Sequence, residues 1–197
     1  MTLGFSTHWP KDMPDHLAGE LTLFPDKILE SLKGVVDFYY YDYACGELPI
    51  GFNSNIDDIP DIEEITPKIH TIRFLTERQA ELWSRPKRVI HFVINNRTKN
   101  RYQFAPVVFV KGVQKIKIEH SKSNPPIVRV NIDGFTYWTG NPFDRYMSGS
   151  YPMVALANND GFEQVEDFFA YFTQEAIAWQ SALGKEPYII HWTDLKY

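Results

Sequence analysis

The chain carries one cysteine, Cys45, among its 197 residues. A single thiol excludes an intramolecular disulfide and a cysteine-built zinc site, and a lone cysteine is more often a small packing residue than a nucleophile. Long apolar runs are missing too. No stretch approaches the roughly 18 residues that a membrane-spanning helix needs. The opening Met1-Thr2-Leu3-Gly4-Phe5-Ser6-Thr7 lacks the basic start and apolar run of a signal peptide. These absences predict a soluble, cytoplasmic chain with no membrane contact. There is no glycine-rich phosphate loop, no internal repeat and no low-complexity tail. His8, His16, His70, His91, His120 and His191 form no close-spaced ligand motif, so the expectation is no metal and no cofactor.

What is present is segregated charge. The net charge of −5 argues against a general nucleic-acid binder. Between Lys68 and Arg129, however, 14 Lys or Arg stand against Glu77, Glu81 and Glu119, a local net of +11. The rest of the chain carries 6 basic and 22 acidic residues, a net of −16. A basic middle attracts phosphates or other anions, unless the two parts neutralise each other across the fold.

Length and apolar content fit one domain over residues 1–197. Thr22 to Glu30 reads as an extended lead-in to a short helix, with Pro25 in its first turn and Gly34 as its C-terminal cap. Residues 35–66 read as an insertion: the aromatic run Phe38-Tyr39-Tyr40-Tyr41-Asp42-Tyr43, then the acidic, proline-marked stretch Asp57 to Glu64. The aromatic run suits either a packed strand or a stacking surface. From Lys68 onward the pattern is that of strands. Arg88 to Ile94 is a dense apolar run leading into an asparagine-rich turn, which predicts a hairpin. Residues 106–110, 113–118 and 127–132 follow, the last two alternating with period two, so that one face is buried and one is wet. After a turn-rich stretch from Gly134 to Pro152, Asp160-Gly161-Phe162-Glu163 predicts a capped main helix with Phe162, Val165, Phe169 and Phe172 on its apolar side. Residues 188–193 predict a last strand. Many short strands with few helices give an α+β chain built on a small β-barrel.

The segment with the most chemistry is Lys68-Ile69-His70-Thr71-Ile72-Arg73. As a strand it places Thr71 and Arg73 on one face and His70 and Ile72 on the other. Lys68 joins Thr71 only if it lies on a bend before the strand, and Pro67 permits one. The alternative is the polar, wet face of an ordinary strand.

This segment, the strand Val89 to Ile94, the turn Leu156-Ala157-Asn158-Asn159-Asp160-Gly161-Phe162, the terminal Ile189-Ile190-His191-Trp192 and the opening Leu21 to Leu32 together resemble the ASCH domains, relatives of the PUA RNA-binding barrel. The resemblance leaves out 35–66 and parts of 134–152. It implies a small PUA-like barrel with a few flanking helices. Enzymatic members are bacterial amidohydrolases that remove the acetyl group of N4-acetylcytidine, with a Lys-x-x-Thr-x-Arg strand and a glutamate at the mouth of a helix. Carried over, the lysine is Lys68, the threonine Thr71 and the arginine Arg73, while Asp160 stands where the family has glutamate. The resemblance implies Lys68 as base, Thr71 as nucleophile, Asp160 as proton shuttle and Arg73 as a substrate-holding cation, without metal or cofactor. His70 and Trp83 are assigned to substrate contact, and Trp138 and the tyrosine run are further stacking candidates. Asp160 reads equally as a helix cap. Four functions follow as expectations: hydrolysis of N4-acylated cytidine-like substrates, RNA binding, RNA cleavage, and capture of a nucleotide or a partner protein without chemistry. The partner is thus a nucleoside-like small molecule or RNA.

Overall fold

The computed structural model describes residues 1–33, 65–144 and 151–197. Gly34, Cys45, the tyrosine run and the acidic stretch lie outside the described residues. The elements in chain order are β1 (Thr2–Phe5), α1 (Phe24–Leu32), β2 (His70–Leu75), α2 (Glu77–Ser84), β3 (Val89–Ile94), β4 (Tyr102–Gln103), β5 (Val108–Phe109), β6 (Gly112–His120), β7 (Val128–Ile132), β8 (Phe135–Gly140), α3 (Tyr151–Asn159), α4 (Val165–Tyr171), α5 (Gln174–Ala182) and β9 (Glu186–His191).

The architecture is α+β, in two sheets. One runs β2-β9-β6-β7-β8, and the other runs β1-β3-β4 with β5 also on β3. β1 lies parallel to β3, and the hairpin expected after Ile94 forms as an antiparallel β3-β4 pair. The alternation in β6 and β7 works as a two-faced pattern: Ile116, Ile118, Val128, Val130 and Ile132 are buried, while Lys115, Lys117 and Arg129 face solvent. β9 separates two apolar cores because its neighbours point to opposite sides. Ile189 packs with the residues of β6, β7, α3 and α4, and Ile190 and Trp192 pack with those of β1, α1 and β3.

Among the described residues no strand pairing joins the two sheets, so backbone hydrogen bonds do not close them into a barrel. β1 and β2 are the end strands that face the gap. A side chain spans it: Arg73 Nη2 donates to Gly4 O at 2.8 Å.

Three expectations need correction. The stretch 134–152 is not all turn, since β8 forms there and α3 begins at Tyr151. Asp160 does not open the main helix. It ends α3, and α4 starts only at Val165 with Gln164 as its cap; Phe162, Val165, Phe169 and Phe172 are nonetheless all buried. Finally, the segment after β2 is not continuous strand, because α2 begins at a capping box. Thr76 Oγ1 accepts from Gln79 N, and Thr76 N donates to Gln79 Oε1.

No helix among the described residues is long and apolar enough to cross a membrane.

Candidate functional site

Three backbone groups position the strand segment. Before β2 begins, Lys68 N donates to Lys27 O on α1 at 2.9 Å, and Ile69 N donates to Asn159 O at the end of α3 at 3.0 Å. These bonds bend the chain ahead of β2, as Pro67 permits. One turn further, Ile72 N donates to Asp160 Oδ1 at 3.1 Å. Among the described residues β2 pairs only with β9, so its other edge would leave amides without partners; α1 and the end of α3 supply acceptors there.

Asp160 is fixed by how α3 stops. Gly161 has φ +94, Gly161 N donates to Asn158 O at 2.8 Å, and Phe162 N donates to Ala157 O at 3.0 Å. This pair of bonds is a Schellman motif with Gly161 at its left-handed position, which makes Asp160 the last half-helical residue. Gly161 is also required sterically, since a Cβ there would lie 2.8 Å from Phe24 Cε1 and 3.1 Å from Lys68 Cδ. Lys27 Nζ donates to Gly161 O at 3.0 Å and completes the clamp.

Within that frame Lys68 and Asp160 form a buried ion pair. Lys68 Nζ donates to Asp160 Oδ1 at 2.6 Å and to the Asp160 backbone carbonyl, and it lies 4.8 Å from the centre of the Phe24 ring. Both side chains are at most 5% exposed. Burial lowers the Lys68 pKa to about 8, although Asp160 acts to raise it. Burial likewise raises the Asp160 pKa against the pull of Lys68 and Arg73. Each group is therefore nearer to losing its charge than it would be in water. That poise is what proton transfer at neutral pH requires.

Thr71 is buried on β2 next to Ile72, whose amide donates to Asp160, and Arg73 follows Thr71 on the same face. The guanidinium lies 4.9 Å from the Phe5 ring centre, and its Nε is buried without a partner. The four residues Lys68, Thr71, Arg73 and Asp160 are therefore gathered at one edge of the sheet. Lys68 donates to Asp160 rather than to Thr71.

His70 is directed elsewhere. It faces His191 directly across the β2-β9 pair, with ring centres 5.4 Å apart, and its Nδ1 is 3.3 Å from the Tyr197 hydroxyl. Trp83 is 3% exposed in the second core and also lines a cleft between β1 and β2. Trp138 is likewise buried, stacked on Phe169. Among the described residues no cluster of three or more His, Cys, Asp or Glu forms a metal-binding group.

Sequence reasoning missed Lys27, Phe24 and Gly161, which shape the site. A lysine on an amphipathic helix normally reads as solvent-facing, so only Gly161, directly after Asn-Asn-Asp, carried a signal, that of a helix stop. No protein-family model, curated protein or solved structure matches the chain.

Proposed function

We propose that this chain is an ASCH-like, metal-independent amidohydrolase acting on an N4-acylated cytidine or a similar acylated nucleobase, on a PUA-like barrel left open between β1 and β2. The observation that carries the reading is the buried Lys68–Asp160 pair, formed across 92 positions of sequence, on the strand that bears Thr71 and Arg73. Ordinary strand polarity gives no reason to bury a lysine and an aspartate together, because isolated buried pairs rarely add stability.

In the proposed reaction the neutral amine of Lys68 takes the Thr71 hydroxyl proton as Oγ1 attacks the acyl carbon. Arg73 anchors a negative group of the substrate. The carbon–nitrogen bond then breaks. Asp160, a carboxylate at the start, relays to the departing exocyclic nitrogen the proton that Lys68 has taken from Thr71. Water hydrolyses the acyl-threonine ester, releasing the carboxylic acid and restoring the hydroxyl. Lys68 must leave its bond to Asp160 to serve as base, so substrate entry has to loosen the pair.

The test is release of cytidine from N4-acetylcytidine by the purified protein, over a panel of N4-acylated cytidines and cytosines. Turnover that is lost in Thr71→Val and Lys68→Met, with unchanged circular dichroism, is the expected result; absence of turnover across the panel refutes the reading. The fact that Lys68 is bonded to Asp160 and not to Thr71 favours a second reading, capture of the nucleobase without chemistry. That reading predicts saturable binding with no product.

A further inference from the structure

Between the facing edges of β1 and β2, beginning at Arg73 and lined by none of Lys68, Thr71 and Asp160, lies a cleft of about 720 Å³. Residues 1–7 form one wall, and Arg73 to Leu75 begin the other. Three cations line it, Arg73, Arg97 and Lys185, and no carboxylate does. Neither Arg97 nor Lys185 takes part in an ion pair among the described residues. A concave surface that gathers cations without countercharge lowers the energy of an anion inside it.

The third wall is the turn after β3. Asn95 and Arg97 both hold positive φ, +51 and +69; asparagine tolerates this conformation, but in arginine it costs energy and persists only where the surroundings impose it. Asn96 sits between them and presses on β1. A Cβ added at Gly4 would lie 2.9 Å from Asn96 Cβ. Gly4 is also the residue whose carbonyl accepts from Arg73. Glycine at this point thus lets the strained turn and the arginine approach the same strand edge. With one Nη bonded to Gly4 and Nε buried without a partner, the Arg73 guanidinium keeps an unused donor.

From these observations we infer that the β1–β2 cleft binds the phosphate group of a mononucleotide, held by Arg73, Arg97 and Lys185. The guanidinium forks of two arginines match phosphate oxygens, and the volume is that of a small-molecule site. Naming a nucleotide rests on the reading proposed above for Thr71 and Lys68. Thr71 lies two residues before Arg73 on the same face, about 7 Å along the strand. One nucleotide spans a separation of that order between its phosphate and its base. The preferred ligand is then the phosphorylated nucleotide and not the free nucleoside.

Calorimetric titration of the purified full chain with cytidine, cytidine 5′-monophosphate, inorganic phosphate and a short single-stranded RNA tests the inference, repeated on Arg97→Asn/Lys185→Gln. Asparagine tolerates positive φ, which protects the turn. The monophosphate should bind about tenfold more tightly than cytidine or better. Inorganic phosphate should compete with it, and the double variant should reduce it to the level of cytidine. Equal binding of the two ligands, no binding of either, no competition by phosphate, or a preference retained in a folded double variant would each overturn the inference. RNA binding about a hundredfold tighter than the monophosphate, with a steep salt dependence, would overturn it in favour of a strand groove. If the double variant does not fold, Arg97→Asn alone must lower the preference. Phosphate preference without acyl release removes the hydrolase and leaves the cleft; acyl release without phosphate preference does the reverse.

Discussion

At the residue scale, Lys68 and Asp160 are the groups whose loss is most readable. Removing one member of a buried ion pair strands the other charge and costs about 3–5 kcal/mol. Because burial already presses both groups toward neutrality, the stranded partner can shed its charge, which softens the loss. Lys68→Met is therefore expected near the lower end of that range. Lys68→Met/Asp160→Asn should cost less than the sum of its single variants, as urea unfolding midpoints in a double-mutant cycle will measure. In the proposed reaction the same pair sets a pH dependence. A base must be unprotonated, so kcat/KM for acyl release should rise with pH up to about 8, where Lys68 titrates, and level off above it. A rate that falls across that interval would remove Lys68 from the role of base. Asp160 differs from the expected glutamate by one methylene, yet its carboxylate already reaches Lys68 at 2.6 Å and Ile72 N at 3.1 Å. Asp160→Glu would force an extra methylene into a filled place and should destabilise by about 1–3 kcal/mol, a loss that thermal unfolding will register.

At the scale of elements, two helices end in the same way and differ in their surroundings. α5 stops with Gly184 at φ +69, Gly184 N donating to Ser181 O and Lys185 N to Gln180 O, the same pair of bonds that ends α3 at Gly161. Nothing lies within 4 Å of a Cβ built on Gly184, whereas one on Gly161 meets Phe24 and Lys68. Gly184→Ala should therefore cost only the left-handed backbone term, about 1–2 kcal/mol. Gly161→Ala should cost more and also disturb Lys68. Equal losses in denaturant midpoint would show that Phe24 and Lys68 yield freely. This contrast also marks how far the sequence was legible. Alternation revealed β6 and β7 because each has one wet face, and Pro25 marked the first turn of α1. It was the resemblance to the ASCH domains, and not spacing alone, that brought Lys68, Thr71, Arg73 and Asp160 into one hypothesis. Asp160 followed by Glu163 was misleading, because a helix stop and a helix start share the same residue types and only the direction of the backbone bonds separates them. Where His70 and Trp83 pack was not legible, because whether a side chain packs inward is decided by partners far along the chain, here His191 and the α1–β3 core.

At the scale of the whole molecule, the five-stranded sheet buries titratable groups where β2 pairs with β9. His70 and His191 are both 0% exposed; His70 Nε2 and both ring nitrogens of His191 have no hydrogen-bond partner. Burial lowers the His70 pKa well below its ordinary value, helped by Lys68 and His191, and lowers that of His191 to about 4, helped by Lys196 and opposed by Asp133. In the unfolded chain both imidazoles take a proton near pH 6.5. Between that value and about 4 the unfolded state binds more protons than the folded one, so stability falls as the pH falls through this interval. Asp160 acts in the opposite sense, because its raised pKa lets the folded state take up a proton first. It is one group against two, and its shift is opposed by Lys68 and Arg73. Tyr197 couples the histidines to the candidate site: its hydroxyl accepts from Asn159 Nδ2 at 2.8 Å, next to Asp160, while its backbone is held by Gln114. Urea midpoints measured from pH 7 to pH 4 should therefore decline, and His191→Phe, which removes one titrating imidazole, should flatten the decline. A slope unchanged by that substitution would assign the acid sensitivity to carboxylates elsewhere and detach the histidine pair from the stability of the β2–β9 pairing.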